Sequence, residues 1–211
     1  RGETALLSVR AAIGERTGLD APVVLLDLSD PASIEQAVGK IESLAIPVDL
    51  LVNNGAMCLD ASETPASTAQ VLATVNAAIT GTFLLTDRLL PLLAGSKAPD
   101  VVTIGSISGL PNAPLHSAAV PFYAAKRGQT AIAEGLRQRL RGSGIRSMIV
   151  HPPYLDDADP TDESWDAAAT RTKGERATTR DVVEAVLFAI TRPRHISLDI
   201  ILDADEGGLF G

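Results

Sequence analysis

An aromatic pair, Phe122 and Tyr123, stands about one helical turn before a basic pair, Lys126 and Arg127. On a helix, residues three or four apart share a face, so one aromatic ring can lie beside a cationic group. A tyrosine in that position can donate a proton near neutral pH, because the positive charge favours the phenolate and lowers the pKa of the phenol. A phenylalanine there cannot donate a proton. The aromatic residue that faces Lys126 therefore decides the chemistry of this stretch.

Strands and helices alternate along the chain on both sides of this stretch. Apolar runs typical of buried parallel strands are found at residues 22–28, 49–52, 101–104, 147–150 and 196–202. Helical patterns are found at residues 1–17, 31–44, 67–93, 120–141 and 179–190. The polar, acidic residues 154–178 are predicted to hold little fixed structure beyond a turn around Trp165. The alternation predicts an α/β domain with a mostly parallel sheet.

The composition is that of one globular domain. Of 211 residues, 45% are hydrophobic, and 18 basic against 26 acidic residues give a formal net charge of -8. An acidic chain is not expected to bind nucleic acid or an anionic membrane surface. The apolar runs are shorter than the roughly 20 residues of a membrane-spanning helix. With a single cysteine and no secretory signal, the chain is predicted to be cytoplasmic and to act on a small molecule.

The histidines and the cysteine do not indicate a metal site or a nucleophile. His116, His151 and His195 are scattered and lack the spacing of metal ligands, so no metal is predicted. His116 is expected to be an ordinary loop histidine. Cys58 is expected to pack rather than to act as a nucleophile, since no histidine motif accompanies it.

Four motifs follow one another at the ends of the predicted strands and in the helix after them. They are Asp27-Leu28-Ser29-Asp30, Asn53-Asn54-Gly55-Ala56, Gly105-Ser106 with Gly109, and Lys126 with its preceding aromatic pair. With these motifs the chain resembles the short-chain dehydrogenase/reductase family from residue 1 to about residue 202. Residues 191–196 resemble the branch that oxidises small 3-hydroxy acids. The resemblance implies a Rossmann-like, doubly wound parallel sheet, NAD(P)-dependent oxidation of an alcohol or reduction of a carbonyl, and a homodimer or homotetramer.

The resemblance assigns catalytic roles to four residues. Ser106 orients the substrate oxygen, and Tyr123 gives or takes its proton. Lys126 holds the nicotinamide ribose and lowers the pKa of the tyrosine. Asn76, on the preceding long helix, helps to position a water in the proton relay. The cofactor itself carries the hydride.

Two of these residues depart from the spacing of the family. The family has Tyr-x-x-x-Lys, and counting back four residues from Lys126 gives Phe122. Anchoring the motif on Tyr123 puts Arg127 in the lysine position and rotates the helix by roughly 100°, against its apolar pattern. The register favours Phe122 in the acid/base position, while a local distortion that brings Tyr123 beside Lys126 stays open. In the family the asparagine stands shortly before a Gly-x-Phe segment. Anchoring on Gly81-Thr82-Phe83 puts Ala78 at that place, so Asn76 stands two residues early, roughly 200° around the helix.

The resemblance also implies a set of cofactor contacts. They are Arg1, Asp27, Leu28, Asn53, Asn54, Gly55, Lys126 and Pro152. Asp27 and Leu28 match the pair that flanks adenine. Arg1 stands where relatives that prefer NADP carry an arginine for the 2′-phosphate, so NADP is slightly favoured over NAD.

The glycine-rich turn of the family does not occur in this sequence. No Gly-x-x-x-Gly-x-Gly is present, and residue 1 stands where the second strand of the family has just ended. Residues 1–211 are therefore interpreted as a single domain without the first strand, the glycine-rich turn and the second strand, either shortened or completed by partner contacts. The strand at Leu50 is then expected to be an exposed apolar edge. An alternative function follows, that of a catalytically weak or inactive relative that binds a ligand or forms subunits.

Overall fold

A four-stranded parallel sheet forms the centre of the computed structural model, which describes residues 2–63, 65–115 and 118–210. The strands, in their order across the sheet, are β1 (Leu50–Asn53), β2 (Asp100–Ile104), β3 (Arg146–His151) and, at the far edge, β6 (Asp199–Ile201). Each neighbouring pair is parallel. A separate two-stranded parallel sheet joins β4 (Leu155–Asp156) and β5 (Ala177–Thr178). The predicted α/β fold with a parallel sheet is confirmed.

Helices connect the strands and cover the sheet. They are α1 (Glu3–Thr17), α2 (Pro31–Ser43), α3 (Thr68–Val75), α4 (Thr82–Ala94), α5 (Val120–Arg139), α6 (Glu163–Ala168) and α7 (Thr179–Ile190). The ends of the first two helices follow from local chemistry. Gly18 adopts a left-handed conformation after α1, with φ of 72°. The Asp30 side chain accepts a hydrogen bond from the backbone of Ala32 and caps α2.

Helices α3 and α4 are joined without a break by a π-helical turn, Asn76–Gly81. The sequence predicts one helix over residues 67–93, and the structure confirms it, but the π turn adds a residue to one turn. It therefore changes which side chains of α3 and α4 share a face. Gly81 ends this turn against the backbone of residue 28, where a Cβ atom at position 81 would lie 2.0 Å from the Leu28 carbonyl oxygen.

The two faces of the sheet pack against different helices. Val101 of β2 lies in a buried cluster with Leu93 of α4 and Leu136 of α5. Its neighbour Val102 lies in a second cluster with Met148 of β3 and residues of α7. Because successive side chains of a strand point to opposite faces, β2 carries apolar residues on both. This is the doubly wound arrangement.

The continuous helix Thr68–Ala94 is, within the described residues, the one segment long and apolar enough to cross a membrane by length and composition. A core helix passes the same test. Leu85 and Leu89 of this helix are buried against Ile34 and Val38 of α2. Packing in the protein core thus accounts for part of its apolar composition.

The predicted strand at residues 22–28 is wrong. These residues belong to no strand of the structure, although Leu26 and Leu28 pack against the cluster of α2 and α4. An apolar run becomes a strand only where a neighbouring strand pairs with its backbone, and none does so within the described ranges. Strand β1 is accordingly an edge of the sheet, with Leu50 37% and Val52 39% exposed.

Residues 154–178 hold more structure than the sequence predicts. They contain β4, α6 and β5, and the Asp162 side chain caps α6 by accepting from the backbone of Ser164. Trp165, at the predicted turn, is part of α6. The Trp165 ring lies 5.2 Å from the guanidinium carbon of Arg180. The prediction fails because the pairing of β4 with β5 and the contact of Trp165 with Arg180 join residues far apart in sequence, which local polarity does not reveal.

Candidate active site

A tight turn at the carboxyl end of β2 presents Ser106. The Ser106 backbone is extended, and its Oγ atom accepts a hydrogen bond of 3.1 Å from the backbone N–H of Ser108. The short 3₁₀ turn Ile107–Gly109 follows directly. The Ile107 N–H donates to the Pro152 carbonyl oxygen at 3.0 Å, which ties this turn to the segment after β3. Because the Ser106 oxygen accepts from the backbone, its own O–H remains available as a donor.

His151, at the end of β3, supports the serine turn from behind. Its Nδ1 atom lies 3.0 Å from the Ser106 carbonyl oxygen. A carbonyl oxygen can only accept, so Nδ1 carries the proton. The imidazole is 2% exposed, and burial lowers its pKa from 6.5, since a buried imidazolium loses its hydration. A Cβ atom at Gly105 would lie 3.0 Å from Nδ1, so a side chain at this position would crowd the ring.

Lys126 of α5 reaches the same end of the sheet from within the protein. The residue is 6% exposed. Its Nζ atom donates to the carbonyl oxygen of Ile104 at 3.1 Å and to Oε1 of Gln129 at 2.9 Å. Burial lowers the pKa of Lys126 from 10.5 to about 8, and the electrostatic interaction with Cys58 acts in the opposite direction. Ser106 and Lys126, predicted from separate motifs, are both anchored at the carboxyl end of β2.

The two aromatic residues of α5 are placed differently. The Phe122 ring centroid lies 5.9 Å from the Lys126 ammonium. The Tyr123 hydroxyl donates to the Ala113 carbonyl oxygen at 2.9 Å. Both rings are half-buried, whereas Arg127 is exposed. The residue four positions before the lysine is thus the one whose ring faces its ammonium group.

A cavity of about 660 Å³ opens beside the serine turn. Most of its wall is apolar, and it is bordered by Ser106, Phe122, Pro153, Tyr154 and Arg176, among others. It therefore lies where the segments after β2 and β3 meet the start of α5. A site of this size suits a small organic molecule, with Ser106 as a polar group that can fix its orientation.

One wall of the cavity comes from segments that the sequence analysis does not single out. The guanidinium carbon of Arg176 lies 5.7 Å from the centroid of the Tyr154 ring. Arg176 also forms ion pairs with Asp156 and Glu206, so neighbouring carboxylates of the same chain balance its charge. At Gly207 a Cβ atom would lie 2.7 Å from the Cβ atom of Tyr154. Nothing local in the sequence marks these residues, because they meet only through tertiary contacts.

The comparison with known families decides the identity of this arrangement. The sequence profile of the family described as short chain dehydrogenase matches residues 1–168. The chain belongs to this family. The predicted enzyme class, a short-chain dehydrogenase/reductase, is confirmed.

The relatives of this short-chain dehydrogenase are distant in sequence. An uncharacterized oxidoreductase of Staphylococcus saprophyticus is 22% identical over 199 residues, which cover 94% of this chain and 81% of the relative. L-Sorbose reductase from Gluconobacter frateurii, solved with NADPH and L-sorbose, has a TM-score of 0.79 and 16% identity, covering 99% of this chain and 84% of that chain. A metagenomic short-chain oxidoreductase solved with NADP has a TM-score of 0.73 and 18% identity, covering 96% and 82%. These likenesses confirm the Rossmann-like fold.

In this short-chain dehydrogenase, Asn76 is the first residue of the π-helical turn and is half-buried. Counting along the sequence assumes a regular α-helix between Asn76 and Phe83. The extra residue of the π turn changes that register. The rotation of roughly 200° between Asn76 and the asparagine position of the family holds for a regular α-helix, so it does not apply across this π turn. The catalytic role of Asn76 stays a prediction.

Asn53 and its neighbours lie at the carboxyl end of β1. Asn53 is 5% exposed, and its Nδ2 atom donates to Thr86 of α4 at 2.9 Å. Its side chain therefore fixes the strand to the helix. The Asn54 N–H donates to the Val52 carbonyl oxygen at 3.0 Å, and Asn54 is exposed. A Cβ atom at Gly55 would lie 2.4 Å from Cδ1 of Leu28, so the leucine side chain rests directly on the glycine.

The other predicted cofactor residues take up varied positions. Asp27 is exposed, and its carboxylate accepts from the hydroxyl and backbone of Ser29, which lowers the pKa of Asp27. Pro152 is buried behind the serine turn. Arg1 and His116 lie outside the described residues. The structure thus brings Leu28 to Gly55, ties the turn that follows Ser106 to Pro152, and anchors Lys126 at the same end of β2.

Proposed function

We propose that the protein transfers a hydride between a nicotinamide cofactor and a small alcohol or carbonyl substrate, with NADP slightly favoured over NAD. The observation that carries this proposal is the placement of Lys126 and Ser106 at the carboxyl end of β2, where Ser106 borders a cavity of about 660 Å³. In open α/β sheets, ligands bind outside the carboxyl ends of the strands. Two structural neighbours were solved with NADPH or NADP, which supports the choice of cofactor.

The described residues fit the nicotinamide half of such a cofactor. Lys126 offers an ammonium group with one N–H beyond its two internal bonds, suited to a ribose hydroxyl. Ser106 offers an O–H that can donate to the substrate oxygen and fix its position against the nicotinamide. The cofactor, when bound, supplies or accepts the hydride. For the adenosine half, the proposal rests on Leu28 and Gly55, which are in contact with each other.

We propose further that Phe122 occupies the place of the tyrosine of the family. Its ring borders the cavity and faces the Lys126 ammonium, whereas the Tyr123 hydroxyl is held by the Ala113 carbonyl oxygen. The proton for the substrate oxygen then passes through Ser106 from solvent in the cavity. Loss of a positioned acid or base slows a reaction by about 10²–10⁴-fold, so a low rate is expected.

Subunit association is part of the proposal, as a homodimer or homotetramer in the cytoplasm. Its support is the exposure of large apolar side chains on the two long helices. Leu72 is 55%, Phe83 39% and Val120 65% exposed. Leu72 and Val120 lie on helices that contact each other, and large exposed apolar patches mark protein interfaces. Light scattering on the purified protein gives the subunit number.

The experiment that tests the proposal is a titration with NADPH and NADH, followed by nicotinamide fluorescence, and an assay of small hydroxy acids, alcohols and ketones. We expect saturable binding and slow turnover that Ser106→Ala abolishes. Gln138→Leu, an exposed change on α5, is the matched control and should leave both unchanged. Binding without turnover in every arm would favour the inactive relative. Absence of binding to both cofactors would contradict the proposal.

A further inference from the structure

Gln129 forms a buried link between Lys126 and the π-helical turn. It is 0% exposed. Its Oε1 atom accepts from the Lys126 ammonium at 2.9 Å, and its Nε2 atom donates to the Thr82 hydroxyl at 3.4 Å. The Thr82 hydroxyl in turn donates to the Ala77 carbonyl oxygen within the π turn, at 3.3 Å. Four residues of two helices thus form one chain of hydrogen bonds.

Among the residues that the structure describes, this chain leaves the Lys126 ammonium with one N–H that donates to no protein atom. An ammonium group has three N–H bonds. In the described part of the protein, two of them are taken by neutral oxygens, those of Ile104 and Gln129. The two acceptors fix the direction of the third N–H, because the three bonds of the group have fixed angles. Without Gln129, the group could rotate about a single remaining contact with Ile104.

We infer that Gln129 is a positioning residue, which holds the Lys126 ammonium so that its third N–H is directed at a bound ligand. The inference rests on the proposed function in one respect, namely that this ligand is the ribose of a nicotinamide cofactor. Gln129 itself touches neither substrate nor cofactor. Through Thr82, it also ties the ammonium to the turn that begins at Asn76, so both elements of the predicted proton relay share one support.

Three further side chains surround the Lys126 ammonium, from different elements of the structure. Cys58, after β1, and His151, at the end of β3, interact with it electrostatically. The Phe122 ring covers it from the preceding turn of α5. None of these groups replaces the amide of Gln129, since none accepts a hydrogen bond from the ammonium in the described residues.

The test is a pH titration of Lys126 by carbon NMR in protein labelled at lysine. The chain has few lysines, Lys40, Lys97, Lys126 and Lys173, so their signals can be assigned by substitution. We expect a midpoint of about 8 for Lys126 in the unchanged protein. Gln129→Leu should lower that midpoint by about one pH unit, because a hydrogen bond to the charged form is lost. Gln129→Glu should raise it by at least as much, since a carboxylate stabilises the ammonium.

The control is the matched pair Gln138→Leu and Gln138→Glu on the exposed face of the same helix. Both should leave the Lys126 midpoint unchanged. An unchanged midpoint in folded Gln129→Leu would overturn the inference. If Gln129→Leu fails to fold, Gln129→Glu decides, and a midpoint that does not rise overturns it.

Cofactor binding provides the second readout. Gln129→Leu should weaken NADPH binding about 10-fold, the effect of losing one hydrogen bond to a charged group. Gln129→Glu keeps an acceptor for the ammonium and should retain most of the affinity for NADPH. Equal affinity of all variants, in the presence of clear binding, would contradict the positioning role. If no variant binds NADPH but the midpoints move, the proposed function fails and the positioning of the ammonium stands.

Discussion

Phe122→Tyr should convert a slow site into a fast one. The Phe122 ring borders the cavity and lies 5.9 Å from the Lys126 ammonium. With an effective dielectric constant of about 20, a unit negative charge at that distance gains about 3 kcal/mol from the ammonium. The new phenol would therefore have a lowered pKa, suited to proton transfer near neutral pH. A positioned acid or base of this kind contributes about 10²–10⁴-fold to a rate.

The assay compares kcat/KM for a reactive ketone with NADPH in the unchanged protein and in Phe122→Tyr. We expect an increase of about 100-fold or more. Phe188→Tyr is a matched control, because Phe188 also lies against a cation, 4.5 Å from the guanidinium carbon of Arg192, but on exposed α7. It should change nothing. A folded Phe122→Tyr protein without increased activity, together with loss of activity in Tyr123→Phe, would refute the reasoning.

Four further predictions concern stability, measured by urea unfolding. Burial lowers the pKa of His151 from 6.5. As the pH falls, the unfolded chain therefore takes up a proton at this position before the folded protein does. The free energy of unfolding should decrease below pH 6.5, and less steeply in His151→Gln. Burial lowers the pKa of Lys126 from 10.5 to about 8, so between these pH values the unfolded chain holds a proton that the folded protein has lost. As the pH is raised through this range, the free energy of unfolding should increase by about 3 kcal/mol more than in Lys126→Met. At Gly109 a Cβ atom would lie 2.8 Å from the Lys126 carbonyl oxygen, so Gly109→Ala should lose about 1–3 kcal/mol. At Gly135 of α5 a Cβ atom would meet nothing within 4 Å, so Gly135→Ala should gain about 0.5–1 kcal/mol.

The strands of the central sheet could be predicted because each is a short apolar run that ends at a polar or small residue. β2 and β3 are buried on both faces, which leaves a continuous apolar signal. Residues 22–28 give the same signal without forming a strand. Strand formation depends on a partner backbone, and that information is not contained in the run itself.

The candidate site could be predicted in part. Ser106 and Lys126 are marked by motifs, and the structure anchors both at the end of β2. Counting back from Lys126 also selects Phe122 as the ring that faces it. The π turn at Asn76 could not be foreseen, because an added residue in one turn leaves the apolar pattern of a long helix nearly intact. Gln129 was missed because a polar residue on a helix is usually exposed.

The most direct test of the account is the transfer of deuterium from labelled cofactor to product. The protein is incubated with a panel of small ketones and NADPH that carries deuterium at C4 of the nicotinamide, on either face in separate runs, and the alcohols are analysed by mass spectrometry. The account predicts that label from one face only appears at the carbinol carbon, and that Ser106→Ala yields none. Product without label, or no product above the Ser106→Ala control with either face labelled, would contradict it.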